Sequence, residues 1–101
     1  MTYYLYRFTA HRPDFALTMT DEERLVMQQH VAYWRTQTES GAALLFGPVA
    51  DPEKSWGIAV VQTDSVEYLA QLRESDPVVT HDLGTVDVFP MPMTILRDNP
   101  R

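Results

Sequence analysis

Cysteine is absent from this chain of 101 residues. Its absence excludes disulfides, thiolate nucleophiles and cysteine-based zinc or iron–sulfur sites. Long apolar runs are also missing, since none approaches the ~20 residues that a membrane helix needs. The N-terminus has no basic start followed by an apolar stretch, so no targeting segment is indicated. We therefore expect a soluble cytoplasmic protein with no membrane partner.

Basic residues are in the minority, with 8 Lys and Arg against 14 Asp and Glu and a formal net charge of −6. An acidic chain repels phosphate backbones, so we expect no nucleic-acid partner. Several motifs are missing too: a glycine-rich phosphate loop, a closely spaced histidine pair and a nucleophilic serine elbow. We therefore expect no organic cofactor and no metal. The length predicts one domain over residues 1–101, with a core over 3–96 and a tail over 97–101.

Aromatic and apolar stretches bounded by Gly and Pro predict four strands. We place them at Tyr3–Ala10, Ala43–Val49, Trp56–Thr63 and Thr85–Leu96. Two helices are expected between them. The first runs over Asp21–Ser40, beginning at a Thr20–Glu23 capping box and ending at Gly41 in the left-handed conformation. The second begins at a cap on Asp64 or Ser65 and ends near Ser75.

A loop is expected over Asp14–Met19 and a short helical turn over Val78–Leu83. The order βαββαβ predicts an α+β, ferredoxin-like fold, in which a four-stranded antiparallel sheet carries two helices on one face.

Both faces of this sheet are apolar, whereas a monomer with one wet face alternates cleanly. In the third strand one face carries Trp56, Ile58 and Val60, and the other carries Gly57, Ala59 and Val61. Two helices cannot cover both faces, so we predict a homodimer that stacks the uncovered faces. Most large aromatics are expected to be core and dimer contacts, among them Tyr33, Trp34, Trp56, Tyr68 and Phe89.

His30 lies near the centre of the apolar stripe of the first helix, with Val26, Met27 and Trp34 beside it. It should therefore face the sheet. One interpretation is a packed core histidine with a backbone partner. The other is a histidine in a pocket, suited to acid–base chemistry near neutral pH. His11 is expected in solvent, and the placement of His81 stays open.

Asp76 precedes Pro77, where the common role is to end a helix. The alternative is that its carboxylate is aimed at His30, fixing the imidazole tautomer. Gly47-Pro48 is either a turn at the end of a strand or a place where a ligand approaches the backbone. Arg7 fits an edge charge best, but it is kept as a candidate anion-binding residue for substrate.

Together these segments resemble the YCII-related domain family, from Tyr3 to about Pro92. The resemblance is carried by the aromatic first strand, Thr20–Glu23, Gln29–Tyr33, Gly41 with Leu44–Pro48, Ser75–Pro77 and Val88–Pro90. It implies a dimeric α+β barrel with a pocket in which His30 and Asp76 form a catalytic pair. It also places Ser75, Gly47 and Pro48 near that pocket.

The leading hypothesis is a small cofactor-independent enzyme in which His30 is the general base and acid and Asp76 orients it. The substrate would be a small cyclic or aromatic metabolite, and the reaction an isomerisation or elimination, such as the dehydrochlorination performed by one family member. The alternatives are a binding dimer without chemistry, a structural dimer without a pocket, and a cofactor-free monooxygenase.

Overall fold

A computed structural model describes residues 2–97, and all but the first residue of the tail predicted over 97–101 lies outside them. The chain forms four strands: β1 (Tyr3–Ala10), β2 (Ala43–Val49), β3 (Trp56–Gln62) and β4 (Gly84–Pro90). Four helices connect them: α1 (Phe15–Thr18), α2 (Asp21–Glu39), α3 (Val66–Ser75) and α4 (Pro77–Thr80). The two long helices and the first three strands were predicted to within about two residues at each end.

The strands form one four-stranded antiparallel sheet in the order β2-β3-β1-β4. The predicted α+β class with an antiparallel sheet is therefore confirmed. The interpretation of Arg7 as an edge charge is wrong, because β1 is a central strand and Arg7 pairs with Ile58 on one side and Asp87 on the other. The edges are β2 and β4, and proline is tolerated on edge strands.

The helices cover one face of the sheet, where Tyr6, Phe8 and Ala10 of β1 are all buried. Trp34 of α2 is fully buried against this face, with its ring centroid 4.6 Å from that of Tyr6. A bulge between Ala43 and Leu45 adds a residue to β2, so that Phe46 returns to the covered face opposite Ala59. We call this face the inner face and the opposite one, which carries Leu5 and Arg7, the outer face.

The predicted capping box at the start of α2 is present, since Thr20 accepts from the backbone of Glu23 and the Glu23 side chain accepts from the backbone of Thr20. Such a cap contributes about 1 kcal/mol. Gly41 follows the helix with φ at +92°, a left-handed value that favours glycine, as predicted. None of the helices in residues 2–97 is long and apolar enough to cross a bilayer.

The loop predicted over Asp14–Met19 is wrong in part, because it contains the one-turn helix α1. Phe15 is buried at its start, and the backbone N–H of Ala16 donates to the Ser55 side chain at 2.9 Å. A four-residue helix has no complete apolar stripe, so periodicity does not reveal it.

The fourth strand ends at Pro90, six residues before the predicted end at Leu96. Its partner β1 begins at Tyr3, and the last ladder bond joins the Met91 N–H to the Tyr3 carbonyl. Beyond that point no strand of residues 2–97 lies alongside. The short helical turn predicted from Val78 begins one residue earlier, at Pro77, where proline suits the first helical position.

Candidate active site

His30 lies on the face of α2 that packs on the sheet, where only 5 % of the residue is exposed. Val26 and Trp34, one turn before and after it, are buried as well, which confirms the predicted apolar stripe. The imidazole lies between the rings of Phe8 and Phe46, whose centroids are 5.7 and 5.4 Å from its own. These aromatic contacts hold the imidazole ring in place.

Asp76 is fully buried, and its Oδ1 lies 2.6 Å from Nδ1 of His30. The residue joins α3 to α4 in an extended conformation, as expected before proline. Its carboxylate caps α4 by accepting from the backbone N–H of Val78 at 3.2 Å. The helix-ending role and the contact with His30 therefore coexist, because the same turn directs the side chain toward α2.

The pKa of Asp76 lies below its ordinary value of 3.8. Burial alone would raise the pKa, but hydrogen bonding and charge interaction with His30, together with donors from Trp34 and Tyr6, outweigh it. An ionised carboxylate only accepts hydrogen bonds, so Nδ1 of His30 must carry the proton that is donated. The neutral imidazole then has its lone pair on Nε2, for which the described residues provide no hydrogen-bond partner.

A cavity of about 770 Å³ opens beside His30, between α1, the start of α2, and the loop that joins β2 to β3. This volume is within the range typical of small-molecule sites. Its walls are mainly apolar and include Phe8, Phe15, Met19, Met27, Phe46 and Trp56. The arrangement presents a single imidazole to a mainly apolar cavity, whose lining also includes the charged residues Asp14, Asp51, Glu53 and Lys54.

The residues predicted to contact substrate divide into two pairs. Gly47 and Pro48 line the cavity. Ser75 is exposed at the end of α3 and does not line it. Arg7 lies on the outer face, where its guanidinium donates to Asp87 at 3.0 Å. The strand alternation that brings Tyr6 and Phe8 toward His30 turns Arg7 away from it.

Two residues of the site were not predicted. The Tyr6 hydroxyl and the Trp34 indole N–H each donate to Oδ2 of Asp76 at 2.8 Å. Trp34 was predicted to be a core or dimer contact, and Tyr6 lies in the aromatic first strand of a sheet whose faces were both predicted to be apolar. The sequence contained part of the information needed to predict these hydrogen bonds. A buried Tyr or Trp needs a partner for its polar atom, and few buried acceptors exist.

The other two histidines lie outside the site. His11 pairs with Asp82 at 2.9 Å on the surface, as its predicted exposure implies, and His81 is exposed just after α4. Within residues 2–97, no group of three or more His, Asp or Glu is close enough to hold a metal ion.

Comparison with known proteins gave one family and a structural relative. The family model of the YCII-related domain matches residues 1–92. Among solved structures, the chain is similar to 5-chloro-2-hydroxyhydroquinone dehydrochlorinase from Burkholderia phenoliruptrix AC1100, in complex with 2,5-dihydroxybenzoquinone. The TM-score is 0.61 at 15 % identity, and the alignment covers 84 % of this chain and 89 % of that one. A search of curated proteins gave no match.

At this identity the structural likeness concerns the fold, whereas the family match extends over nearly the whole chain and includes both His30 and Asp76. The match also covers all four strands and all four helices of the structure. The chain therefore belongs to the YCII-related domain family.

Proposed function

We propose that this protein is a small-molecule enzyme in which His30 moves a proton and Asp76 orients it. The observation that carries the proposal is the 2.6 Å hydrogen bond between the two residues at the wall of the cavity. With Nδ1 bound to the carboxylate, Nε2 is the ring nitrogen left to accept a proton from a substrate and to return it. General acid–base catalysis of this kind contributes about 10²–10⁴-fold.

The substrate we propose is a small cyclic or aromatic compound with an acidic C–H or O–H group. The cavity offers aromatic and methionine side chains, which favour ring systems by packing and S–aromatic contacts. The relative with the same fold is a dehydrochlorinase of a chlorinated hydroquinone, which fits this class. Proton removal followed by loss of a leaving group or by reprotonation elsewhere gives an elimination or an isomerisation.

Turnover is tested with 5-chloro-2-hydroxyhydroquinone and a panel of cyclic ketones, lactones and hydroquinones. Chloride release and solvent-deuterium incorporation, followed by NMR in D₂O, detect proton abstraction whichever product is formed. His30→Ala should lower the rate by about 10²–10⁴-fold. The matched control is His81→Ala, because His81 is exposed and outside the cavity. A folded His30→Ala protein with an unchanged rate contradicts the proposal.

The alternative is a binding protein that holds the same class of molecule without chemistry. The size and apolar walls of the cavity suit this function equally, since neither depends on the imidazole. A compound that raises the melting temperature but undergoes no proton exchange supports this alternative. In that case Asp76→Asn should change affinity alone.

A homodimer with a ferredoxin-like βαββαβ subunit, acting in the cytoplasm, completes the proposal. The outer face remains apolar and uncovered, with Phe89 and Leu45 exposed by 43 % and 47 %. It also holds Arg7 Nε, a buried donor without a hydrogen-bond partner among the described residues. Stacking of two outer faces would bury this surface. Sedimentation velocity at micromolar concentration tests the dimer, and a monomer alone contradicts it.

A further inference from the structure

Every acceptor position of the buried Asp76 carboxylate is in use. Oδ1 accepts from His30 and from the backbone of Val78, and Oδ2 accepts from Tyr6 and Trp34. The donors come from β1, α2 and α4, so they approach the carboxylate from three elements. A carboxylate held on both oxygens cannot rotate about its Cβ–Cγ bond without losing hydrogen bonds.

We propose that Tyr6 and Trp34 are positioning residues for the His30–Asp76 pair, a role that rests on the proposed function. The pair itself requires only Oδ1. Without the two aromatic donors, Oδ2 would be a buried, charged oxygen with no partner, which is costly. The two donors keep the carboxylate ionised and in the plane that meets Nδ1. They act on the proton-moving residue through Asp76 and not by contact with substrate.

The placement of the two donors supports this role. Trp34 lies one turn after His30 on α2, so the same helix carries the base and one of the donors that hold its partner. Tyr6 reaches Oδ2 from the central strand β1, and its ring packs against that of Trp34 at 4.6 Å. Each donor therefore fixes the position of the other as well as that of the carboxylate.

The electrostatic surroundings agree with the geometry. Hydrogen bonds from Trp34 and Tyr6 both lower the pKa of Asp76, against burial, which raises it. Burial and the charge of Asp76 raise the pKa of Tyr6 far above its ordinary value, so the phenol remains a donor.

Other titratable groups face this cluster or its cavity. Tyr33 of α2 donates to the backbone of Leu72, and Arg73 of α3 acts on Tyr6 by charge. Asp14, Asp51, Glu53 and Lys54 line the same cavity as His30.

The unmodified protein provides the first test, because its two tryptophans donate to different carboxylates. The indole N–H of Trp34 binds Asp76, whereas that of Trp56 binds Asp51 at 2.8 Å. In an NMR titration, the Trp34 signal should move with the carboxyl ¹³C signal of Asp76, and the Trp56 signal with that of Asp51. If the Trp34 signal does not shift when Asp76 is protonated, the proposal is wrong.

Variants provide the second test. In Tyr6→Phe and Trp34→Phe, the pKa of Asp76 should rise by about one pH unit for each donor removed. The ¹⁵N signals of His30 should show a smaller share of the tautomer protonated on Nδ1. Tyr33→Phe is the matched control, since it removes a phenol of the same cluster that binds a backbone carbonyl. If the pKa of Asp76 is the same in Tyr6→Phe as in Tyr33→Phe, the proposal is wrong.

Failure of the proposed function can be distinguished from failure of this positioning role. If His30→Ala keeps full proton exchange while the Asp76 titration still responds to Tyr6→Phe, the network exists but serves no chemistry. Where turnover is measurable, Tyr6→Phe should lower kcat about tenfold with little change in KM, because the cavity walls are untouched. A change in KM alone would contradict a positioning role.

Discussion

Tyr6 and Arg7 are neighbours on β1, yet they lie on opposite faces of the sheet and in opposite environments. On the inner face, the Tyr6 hydroxyl donates to a fully buried carboxylate whose oxygens are all hydrogen-bonded. On the outer face, Arg7 forms a half-exposed pair with Asp87. The buried carboxylate on the inner face is thus fully hydrogen-bonded, as expected of a charged group in a protein core. On the outer face, the structure leaves the buried Arg7 Nε without a partner among residues 2–97.

Removal of one carboxylate from each face should give the largest contrast. Asp76→Ala leaves four donors without an acceptor, and we expect a loss of about 3–5 kcal/mol in the free energy of unfolding. Asp87→Ala breaks a pair whose side chains are 39 % and 47 % exposed, and the expected loss is below about 1 kcal/mol. Urea denaturation measures both. Equal losses would mean that the two faces do not differ in this respect.

The next largest effect is expected from acid, which should lower stability by protonating Asp76 on the inner face. The pKa of Asp76 in the folded protein lies below its ordinary value of 3.8, so its contribution to stability is complete above that value. The contribution is lost as the pH falls from the ordinary value through the folded one. Asp76→Asn should therefore flatten the decline in stability between about pH 5 and the acid limit, measured by urea midpoints.

The pKa of Glu23 is lowered as well, to about 2, by the hydrogen bond from Arg12. Glu23 therefore also loses its contribution to stability as the pH falls. Because Glu23 is present in both proteins, its contribution cancels when Asp76→Asn is compared with the unmodified chain. An unchanged acid slope in that variant would show that Asp76 is not the titrating group.

A charge introduced on the outer face should weaken self-association of the subunits without disturbing their fold. Leu5 pairs with Val60 and Phe89 there, and Leu5→Lys should weaken self-association at least tenfold, or about 1.4 kcal/mol. The control is Leu17→Lys, since Leu17 is 86 % exposed on α1, at the cavity rim. Sedimentation velocity should show the first variant shifted toward monomer and the second unchanged. A shift in both would locate the interface elsewhere.

Arg7→Met should have the smallest effect on the isolated subunit. The change removes the Asp87 pair together with the unpartnered Nε, and we expect less than about 1 kcal/mol in either direction. Thermal unfolding at low protein concentration measures it. A loss of several kcal/mol would show that Arg7 is as integral to its face as Asp76 is to the other.

Long periodic segments were predictable from sequence, as the capping box and apolar stripe of α2 show. The predicted inward orientation of His30 followed from that stripe. The one-turn helix α1 was not predictable, because its position depends on a hydrogen bond between Ala16 and Ser55, far apart in the chain. The end of β4 depends on where its partner β1 begins, which is likewise a pairing across the sheet.

The candidate site was likewise predictable in part from the sequence. The composition, with no cysteine, left histidine as the main candidate for proton transfer, and the helical period placed His30 on the covered side. The contact with Asp76 spans 46 residues, and the carboxylate's bonds to Tyr6 and Trp34 span 70 and 42. Resemblance to a family suggested the first of these contacts and gave no indication of the others.

Residue spacing along a helix or strand is a local property, so the long elements and the face that each of their side chains occupies could be predicted from the sequence alone. Which side chains from different elements meet depends on the packing of the whole chain, as with His30 and Asp76 and with the two aromatic donors on Oδ2. Hydrogen bonds form only when donor and acceptor atoms are about 3 Å apart. Such distances are fixed by how helices pack on the sheet and not by any spacing along the chain.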